Sequence, residues 1–511
     1  MRAMFVDGRL REGSAAAALE VRDPATGELV ETVPAGTAED VDVAVRAAAA
    51  AFPGWWATPA ARRGAVLHQA VAHARGHTDE LTRLLTMEQG KPLREARLEV
   101  ARCLETLEHY AGLAKALRGG YVPDLDEGAY GLVLRRPLGV VGAIVPWNFP
   151  ATLLANKLGP ALVAGNTVVA KPAETTPLTT LRLAELLHEA GVPPGAFNVV
   201  TGTGPVAGAA LVVHPQVRKV AFTGSTPVGK RTMAAAAEQL KRVTHELGGS
   251  DPMIICDDAD LDRAVSAASV GRFFNCGQAC LATKRLFVFE RVADEVVEKL
   301  VAKAARLRVG PGTADGVQMG PLHTQAQRAK IEGQVADAVD RGAKVLHGGG
   351  RPAGEGYAAG YFYQPTLLLE PPADARVATE ETFGPALPIW RVADLDEAIE
   401  RANASPYGLG SAIWTRDLHR ASWAAERLEA GYTWVNSVNK VYDELPFGGL
   451  KQSGYGKEHG AEALDYYQET KSVVVRHDAP GGRTAPVPAG DELMQTEHRR
   501  GSAGSVGPGK G

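Results

Sequence analysis

The chain has 511 residues, of which 45% are hydrophobic and 22% are charged, and this length predicts two or three globular domains. The formal net charge of −4 and the lack of a Lys/Arg-rich tract argue against a nucleic-acid partner and against an anionic membrane surface. The longest apolar runs are far shorter than a membrane span, and the first residues lack the apolar core of a secretion signal.

The cysteine content predicts a reducing environment. Cys103, Cys256, Cys276 and Cys280 are too few for a disulfide framework in a chain of this length, so we expect a cytoplasmic protein. Cys276 and Cys280 have no second Cys/His pair at ligand spacing, and we therefore expect no metal site.

The N-terminal part is predicted to be helical. Thr37-Ala-Glu-Asp40 has the form of a capping box that opens an Ala-rich helix, and helical periodicity continues to about Arg118. The β-prone run Tyr130–Pro137 then predicts an extended arm within residues 121–138.

From residue 139, predicted strands and helices alternate. We expect strands at Thr167–Ala170, Phe197–Val200 and Lys219–Phe222, and Thr176 is expected to cap a helix with Pro177 at its first position. This alternation predicts a parallel sheet with crossover helices. Ligands of such sheets bind at the carboxyl ends of the strands.

The C-terminal half repeats the alternation. A second α/β region runs from near Asp251 to about Trp434, and a Gly-rich loop at Pro446–Gly456 follows it. The β-run Ser472–Arg476 closes the folded part. Residues 479–511 are rich in Gly, Pro and Ser, and we expect them to form a disordered tail.

Two glycine loops are candidates for binding phosphates. Gly224–Lys230 nearly matches the loop of nucleoside-triphosphate enzymes, but Arg231 replaces the hydroxyl that would hold magnesium. What remains is a Gly turn at a helix N-terminus, which favours a diphosphate. Gly202-Thr-Gly204 departs from the dinucleotide fingerprint because the third glycine, Gly208, comes one place late.

Lys171 and Glu174 follow a predicted strand and would lie at the ligand-binding end of the sheet. An acidic residue there suits the hydroxyls of an adenine ribose and would repel a 2′-phosphate. The alternative is a solvated pair in a surface loop.

Three further residues are candidates for catalysis. Cys280 lies in a polar, turn-forming segment and Glu246 stands before a glycine pair, so separate segments would supply a nucleophile and a base. The proline-bounded turn Pro146–Pro150 displays Asn148, whose side-chain amide can donate to an oxyanion. The plainer alternatives are a small buried cysteine and a structural asparagine.

Together these segments resemble the NAD(P)-dependent aldehyde dehydrogenases, from about residue 5 to residue 478. The motifs occur in the order found in that family: Pro146-Trp-Asn-Phe-Pro150, Lys171-Pro-Ala-Glu174, Phe222-Thr-Gly-Ser225, Glu246-Leu-Gly-Gly249, Phe274-Asn-Cys-Gly-Gln-Ala-Cys280, Glu380-Glu-Thr-Phe-Gly-Pro385 and Pro446-Phe-Gly-Gly449.

The resemblance implies an α/β fold with two doubly wound parallel-sheet domains and a β oligomerisation arm. It implies an NAD-binding domain at residues 1–120 and 140–248 and a catalytic domain at 249–447. The arm would comprise residues 121–139 and 465–478. Since the arm joins subunits in this family, a homodimer or homotetramer is implied.

The resemblance also implies a role for each site residue. Cys280 would be the nucleophile, Asn148 and the Cys280 backbone amide the oxyanion hole, and Glu246 the base that activates water. The residues implied for cofactor binding are Lys171 and Glu174 on the adenine-side ribose, Gly224 and Ser225 on the pyrophosphate, Glu381 and Phe383 on the nicotinamide ribose, and also Trp147 and Gly204.

The substrate is expected to be an uncharged or amine-bearing aldehyde. Members that act on acidic aldehydes place Arg where this chain has Asn156 and Phe274, and betaine-aldehyde members often place Trp at the first of these positions. Phe149, Phe274 and Phe447 would line an apolar pocket. Asp443 and Glu444, in the segment just before Phe447, indicate a substrate with a cationic end.

The predicted activity is oxidation of an aldehyde to its carboxylic acid with reduction of NAD, or of NADP, through a cysteine hemithioacetal and a thioester. One alternative is a CoA-acylating semialdehyde dehydrogenase, although such enzymes typically lack the carboxylate found here at Glu246. A second alternative is a non-catalytic protein on the same fold.

Overall fold

The computed structural model describes residues 1–477, and the tail predicted at 479–511 lies outside them. The α-helices in the described part are α1 (Ala38–Ala57), α2 (Ala60–Arg75), α3 (Thr78–Gln89), α4 (Leu93–Leu113), α5 (Pro150–Ala164), α6 (Leu178–Glu189), α7 (Ala209–Val213), α8 (Thr226–Ala237), α9 (Leu261–Phe273), α10 (Glu290–Ala304), α11 (Gln325–Asp340), α12 (Arg376–Thr379), α13 (Leu395–Asn403) and α14 (Leu418–Arg427). Among these residues, no helix combines the length and the apolar character that a membrane crossing requires.

The strands in the same part of the chain are β1 (Met4–Val6), β2 (Arg9–Arg11), β3 (Ala18–Arg22), β4 (Leu29–Pro34), β5 (Gly120–Asp126), β6 (Ala129–Pro137), β7 (Val140–Ile144), β8 (Thr167–Lys171), β9 (Phe197–Val199), β10 (Val217–Thr223), β11 (Arg242–Glu246), β12 (Asp251–Ile255), β13 (Thr283–Phe289), β14 (Lys344–His347), β15 (Thr366–Leu369), β16 (Ala386–Val392), β17 (Tyr407–Gly408), β18 (Gly410–Trp414), β19 (Tyr432–Val435), β20 (Leu450–Lys451), β21 (Gly454–Tyr455) and β22 (Gln468–Arg476).

The first large sheet has the strand order β2-β1-β9-β8-β7-β10-β11-β21. Strands β9, β8, β7, β10 and β11 are parallel, as predicted, and antiparallel strands flank them. Successive residues of β8 face opposite cores: Val168 and Ala170 pack into one hydrophobic cluster, and Val169 packs into another. Burial on both faces explains why these strands read as continuous apolar runs.

The second large sheet has the order β14-β15-β16-β13-β12-β18-β19, and β14 is its antiparallel strand. Strand β12 shows the same alternation, because Met253 and Ile255 enter one core cluster while Ile254 and Cys256 enter another. The α/β region predicted to begin near Asp251 is therefore a second doubly covered, mainly parallel sheet.

By the density of its internal contacts, the chain divides into one unit of residues 1–117 and 136–469 and a smaller unit of residues 118–135 and those from 470 onward. Both large sheets belong to the first unit. Strands β22, β6 and β5 form a three-stranded sheet in that order, and β5 is exposed along its whole length. The domain boundary between the two large sheets, and the role of the arm, stay predictions.

The two predicted helix caps have different outcomes. The capping box of α1 is present, because the Thr37 backbone amide donates to Asp40 and the Asp40 amide donates to the Thr37 hydroxyl. Thr176 does not cap α6, and the prediction was wrong at that position. The Glu88 carboxylate, from α3, instead accepts the amides of Leu178 and Thr179 at 2.7 and 3.0 Å. The Glu88 carboxylate, distant in sequence, therefore caps α6 in place of the predicted Thr176 hydroxyl.

Candidate active site

The loops singled out in the sequence meet at one edge of the first sheet. Asn148 comes shortly after β7, Lys171 ends β8, Gly204 comes shortly after β9 and Gly224 follows β10. Glu246 is the last residue of β11. Because these strands are parallel, their carboxyl ends share one edge, where ligands of such sheets bind.

A cleft with about 620 Å³ of empty space joins these loops to loops of the second sheet. The lining comes from loops at the ends of both sheets and from the start of α11: Pro146, Trp147, Asn148, Thr223, Gly224, Ser225, Leu247, Gly248, Cys280, Gln327, Lys330, Glu381 and Phe383. The cleft thus brings together the predicted oxyanion residue, the predicted nucleophile and several residues predicted to hold the cofactor.

Cys280 is half-buried and precedes β13. Its carbonyl accepts Lys284 Nζ at 2.6 Å, and the same ammonium donates to the Gly249 carbonyl and to Glu381 Oε1. Burial raises the pKa of the Cys280 thiol to about 12; Lys284 acts in the lowering direction, while Glu246 and other nearby carboxylates raise it further. At neutral pH the group is therefore a thiol, and attack by its sulfur requires a base.

The segment before Cys280 has an unusual backbone. Asn275 and Cys276 have φ values of 49° and 54°, so two consecutive residues other than glycine adopt the left-handed conformation. Each such residue costs about 1–3 kcal/mol and needs surrounding contacts to hold it. Asn148 provides one such contact to this segment. Its Nδ2 donates to the Gln278 carbonyl at 3.1 Å.

Glu246 is buried, with 4% exposure, and its Oε2 has no hydrogen-bond partner among the described residues. Burial and the Glu458 carboxylate raise the pKa of Glu246 well above its usual range. Its side chain lies beside Gly448 and not on the wall of the cleft. A Cβ at Gly448 would lie 2.8 Å from Glu246 Oε1, which explains the need for glycine there.

The sequence reasoning missed the buried charges behind Glu246. Glu458 accepts Lys157 Nζ at 2.5 Å and Asn156 Nδ2 at 2.9 Å, and Lys157 also donates to Thr223. Lys157 lies within the apolar helix α5, and an isolated lysine in such a helix was a usable signal. Glu458 lies far away in the sequence and carried no comparable signal.

The predicted adenine-side residues lie outside the cleft wall, at the ends of neighbouring strands. Lys171 Nζ donates to the Pro172 carbonyl at 2.8 Å and lies 3.6 Å from the Glu174 carboxylate, whose side chain is 45% exposed. Gly204 begins a short helical turn, and a Cβ there would have no neighbour within 4 Å. An open Gly204 leaves space for a ligand to approach the backbone.

The start of α8 offers free donors. Ser225 is its N-cap residue and makes no side-chain capping bond, and Pro227 has no N–H, so the amides of Thr226 and Val228 have no side-chain cap beside the cleft. Such amides and the helix dipole attract a phosphate.

Two aromatic rings and a carboxylate form the opposite part of the cleft. Trp147 stacks on His323 at a centroid distance of 4.6 Å and meets the Phe383 ring edge-on at 5.6 Å. Glu381 accepts Lys284 Nζ at 2.7 Å and the Gly249 amide at 3.1 Å. These contacts fix Glu381 and Phe383 in place.

The four predicted substrate-pocket residues separate into two pairs. Phe149 and Phe274 stack at 6.1 Å with nearly parallel rings. Asn156 and Phe447 instead both contact Glu458, Asn156 through its side chain and Phe447 through the backbone. Asn156 is buried, and its side-chain NH2 already donates to Glu458.

Asp443, one of the two residues expected to bind a cationic end of the substrate, is already paired within the protein. Asp443 is buried and lies 2.8 Å from both Arg102 and His459, and Thr106 donates to it at 3.1 Å. These partners lower the pKa of Asp443 against the effect of its burial, so its charge is already compensated. Asp443 therefore offers no free carboxylate to a cationic substrate.

Comparison with known proteins places the whole described chain beside one family. The sequence profile of the aldehyde dehydrogenase family matches residues 11–473. An NADP-dependent succinate-semialdehyde dehydrogenase of Escherichia coli is 41% identical over 471 residues, which cover 92% of this chain and 97% of that enzyme. A phenylacetaldehyde dehydrogenase of Pseudomonas fluorescens is 42% identical over 485 residues, 93% of this chain and 96% of its own length. The structure of PnpE from Pseudomonas sp. WBC-3 in complex with nicotinamide adenine dinucleotide superposes with a TM-score of 0.92 at 41% identity, covering 95% of this chain and 99% of its own.

Proposed function

This chain belongs to the aldehyde dehydrogenase family and oxidises an aldehyde to its carboxylic acid with reduction of NAD(P), and we propose that Cys280, Asn148 and Glu246 carry out this chemistry. The observation that carries the proposal is the shared cleft. Asn148 and Cys280 line the same cleft although they are distant in sequence, and Glu246 is one of the carboxylates that raise the pKa of the thiol.

In the proposed reaction, the Cys280 sulfur adds to the aldehyde carbon after its proton is lost to a base. The Asn148 side-chain amide and the Cys280 backbone amide donate to the oxygen that becomes negative. When bound, the nicotinamide ring supplies the acceptor for the hydride that leaves this carbon. The product on the protein is a thioester of Cys280.

Glu246 is the proposed base for releasing the acid. A carboxylate with a raised pKa is a better acceptor for a proton of water at neutral pH. Glu458 contributes to that increase, while Lys157 and Lys457 oppose it. Hydrolysis then transfers the acyl group from sulfur to water and restores the thiol.

The residues fit a dinucleotide. The amides at the start of α8, after Ser225, and the turn at Gly224 suit the pyrophosphate. Lys171 and Glu174 suit the adenine-side ribose. Glu381 and Phe383, with Trp147 behind Phe383, would hold the nicotinamide ribose, and Gly204 would allow close approach of the adenine half.

The proposed substrate is an uncharged aldehyde with an apolar body. The stacked Phe149 and Phe274 rings support this, and so does the absence of Arg at positions 156 and 274. The compensated charge of Asp443 argues against an amine-bearing substrate. A panel of aliphatic, aromatic, amino and carboxylated aldehydes tests the proposal, and a carboxylated aldehyde with the highest kcat/KM would refute it.

The nucleophile is tested by Cys280→Ala, which should lower kcat by several orders of magnitude. Cys256→Ala is the matched control, since Cys256 is a buried thiol that directly follows β12, and should leave kcat unchanged. Full activity of Cys280→Ala would show that the mechanism is wrong. Product analysis with and without CoA separates hydrolysis from acyl transfer.

We further propose that the protein is cytoplasmic and assembles as a homodimer or homotetramer through the β22-β6-β5 sheet. The four unpaired cysteine thiols support a reducing compartment. The exposed length of β5 supports a role of this sheet in assembly.

A further inference from the structure

One short segment contacts Asn148 and the loop that leads to Cys280. It runs from Lys91, just before α4, to Glu99 in the second turn of that helix. Lys91, Glu95 and Glu99 are all buried, at 1%, 1% and 4% exposure. Buried charges cost several kcal/mol each unless they are paired and hydrogen-bonded, so their partners indicate what they hold.

Lys91 holds the backbone of the proposed oxyanion residue. Its Nζ donates to the Asn148 carbonyl at 2.8 Å, pairs with the Glu99 carboxylate and lies 4.0 Å from the centre of the Phe149 ring. The Asn148 carbonyl also accepts Asn275 Nδ2 at 2.9 Å. Two donors on one carbonyl fix the orientation of that peptide and thereby the direction of the Asn148 side chain.

Glu95 holds the loop that carries Cys280. Its Oε2 accepts the backbone amide of Asn275 at 2.8 Å, at the first of the two left-handed residues. The Asn275 side chain donates to the Gln278 carbonyl at 3.2 Å, the same carbonyl that Asn148 Nδ2 reaches at 3.1 Å. The strained loop and the proposed oxyanion residue are therefore joined through shared acceptors.

Glu99 holds the chain on the other side of Asn148. Its Oε1 accepts the amide of Ala151 at 2.9 Å, in the first turn of α5. The first amides of a helix have no partner within the helix, so this carboxylate acts as a cap supplied from another helix. Asn148 is thus held through its own carbonyl by Lys91 and through the following helix by Glu99.

We propose that Lys91 is a positioning residue for the oxyanion hole, acting through the Asn148 carbonyl, with Glu95 and Glu99 holding the adjoining segments. Lys91 touches neither the reacting atoms nor the proposed cofactor residues. This inference depends on the role proposed above for Asn148. Its consequence is that Lys91 matters for the transition state only while the Asn148 side chain is present.

A double-mutant cycle of Lys91→Met and Asn148→Ala tests this in the full-length enzyme. Asn148→Ala should lower kcat/KM by about 10²–10³-fold, the usual cost of removing an oxyanion donor. Lys91→Met keeps the alkyl stem and should lower kcat/KM by about 10- to 100-fold through misplacement of the amide. Added to Asn148→Ala, Lys91→Met should cost no more than about a further threefold.

A general loss of structure would affect other properties as well. For Lys91→Met we expect the affinity for NAD and the rate of Cys280 alkylation by iodoacetamide to stay within about threefold of the parent, because neither depends on the oxyanion hole. Glu88→Gln is the matched control: it neutralises a buried group shortly before this segment, one that caps α6 and does not contact Asn148. We expect Glu88→Gln to preserve kcat/KM at saturating NAD.

Multiplicative losses in the double mutant, or equal losses of NAD binding and alkylation, would overturn the proposal. If Lys91→Met does not fold, Glu95→Gln replaces it, because it weakens the hold on Asn275 with little change of shape. The same non-multiplicative result with Asn148→Ala is then required. Parent enzyme that oxidises no aldehyde would refute the proposed function; active parent with an unaffected Lys91→Met would refute only this inference.

Discussion

Burial raises the pKa of two of the proposed catalytic residues, Cys280 and Glu246. The pKa of the Cys280 thiol is raised to about 12 and that of Glu246 is raised well above its usual range. Each negative charge also raises the pKa of the other group's acid form. A negative charge on either group therefore disfavours the anionic form of the other.

The pH dependence of the enzyme should reflect this. Because Glu246 acts as a carboxylate and its pKa is raised, we expect kcat/KM to increase with pH over a range above the usual titration range of a carboxyl group. Glu246→Gln should release a single equivalent of NADH per subunit and then turn over at least about 10²-fold more slowly. It should also lower the pH at which Cys280 becomes reactive towards iodoacetamide, because a negative charge has been removed. An unchanged alkylation profile would contradict the coupling.

Cofactor preference should depend on Glu174. Its half-exposed carboxylate would repel a 2′-phosphate, so we expect Glu174→Gln to raise kcat/KM for NADP relative to NAD on the order of fivefold, equivalent to about 1 kcal/mol. Glu189→Gln, which removes an exposed carboxylate from α6, is the control and should not change the ratio. The ratio of specificity constants is the measurement, and an unchanged ratio for Glu174→Gln would leave the preference unexplained.

At the scale of elements, the helices start in two different ways. The cap of α1 is local, since Thr37 and Asp40 bond each other three residues apart. The caps of α5 and α6 are carboxylates from other helices, Glu99 and Glu88. Local caps are visible in sequence, whereas remote caps require the helices to be packed first.

Thr37→Ala should destabilise the protein by about 1 kcal/mol, because it removes the acceptor for the Asp40 amide at the start of α1. Thermal and urea denaturation provide the measurement. Ser266→Ala is the control, since that hydroxyl bonds the Asp262 carbonyl within α9 and is not a cap. Equal stability of Thr37→Ala and the parent would show that the capping box contributes nothing measurable.

At the scale of the whole molecule, the two large sheets supply different parts of one cleft. The first provides free helix amides and Asn148 beyond its parallel strands, and the second provides Cys280, Glu381 and Phe383 in loops that precede its strands. The fold class and family resemblance predicted from the motifs are confirmed by relatives of known structure. The smaller unit is the proposed place of assembly.

Assembly should depend on the edge strand β22, where Val474 is 68% exposed. A charge on an exposed strand opposes pairing with another chain, so we expect Val474→Asp to raise the concentration of half-dissociation by about tenfold or more. Sedimentation velocity over a concentration series measures this. Leu418→Asp, at another exposed apolar position, at the start of α14, should leave the assembly unchanged. Identical sedimentation of all three proteins would contradict a role for this sheet.

The sequence by itself determined the alternation of strands and helices from residue 139, the α1 cap, the family and the candidate residues Cys280, Glu246 and Asn148, but not the strands β1 to β4. These follow from periodicity, cap chemistry and motifs, all of which are local. Only the tertiary structure decided that Glu458 raises the pKa of Glu246, that the charge of Asp443 is already compensated and that Lys91 donates to the Asn148 carbonyl. Each of these depends on charges buried against partners far away in the chain, and burial is set by packing rather than by neighbours in sequence.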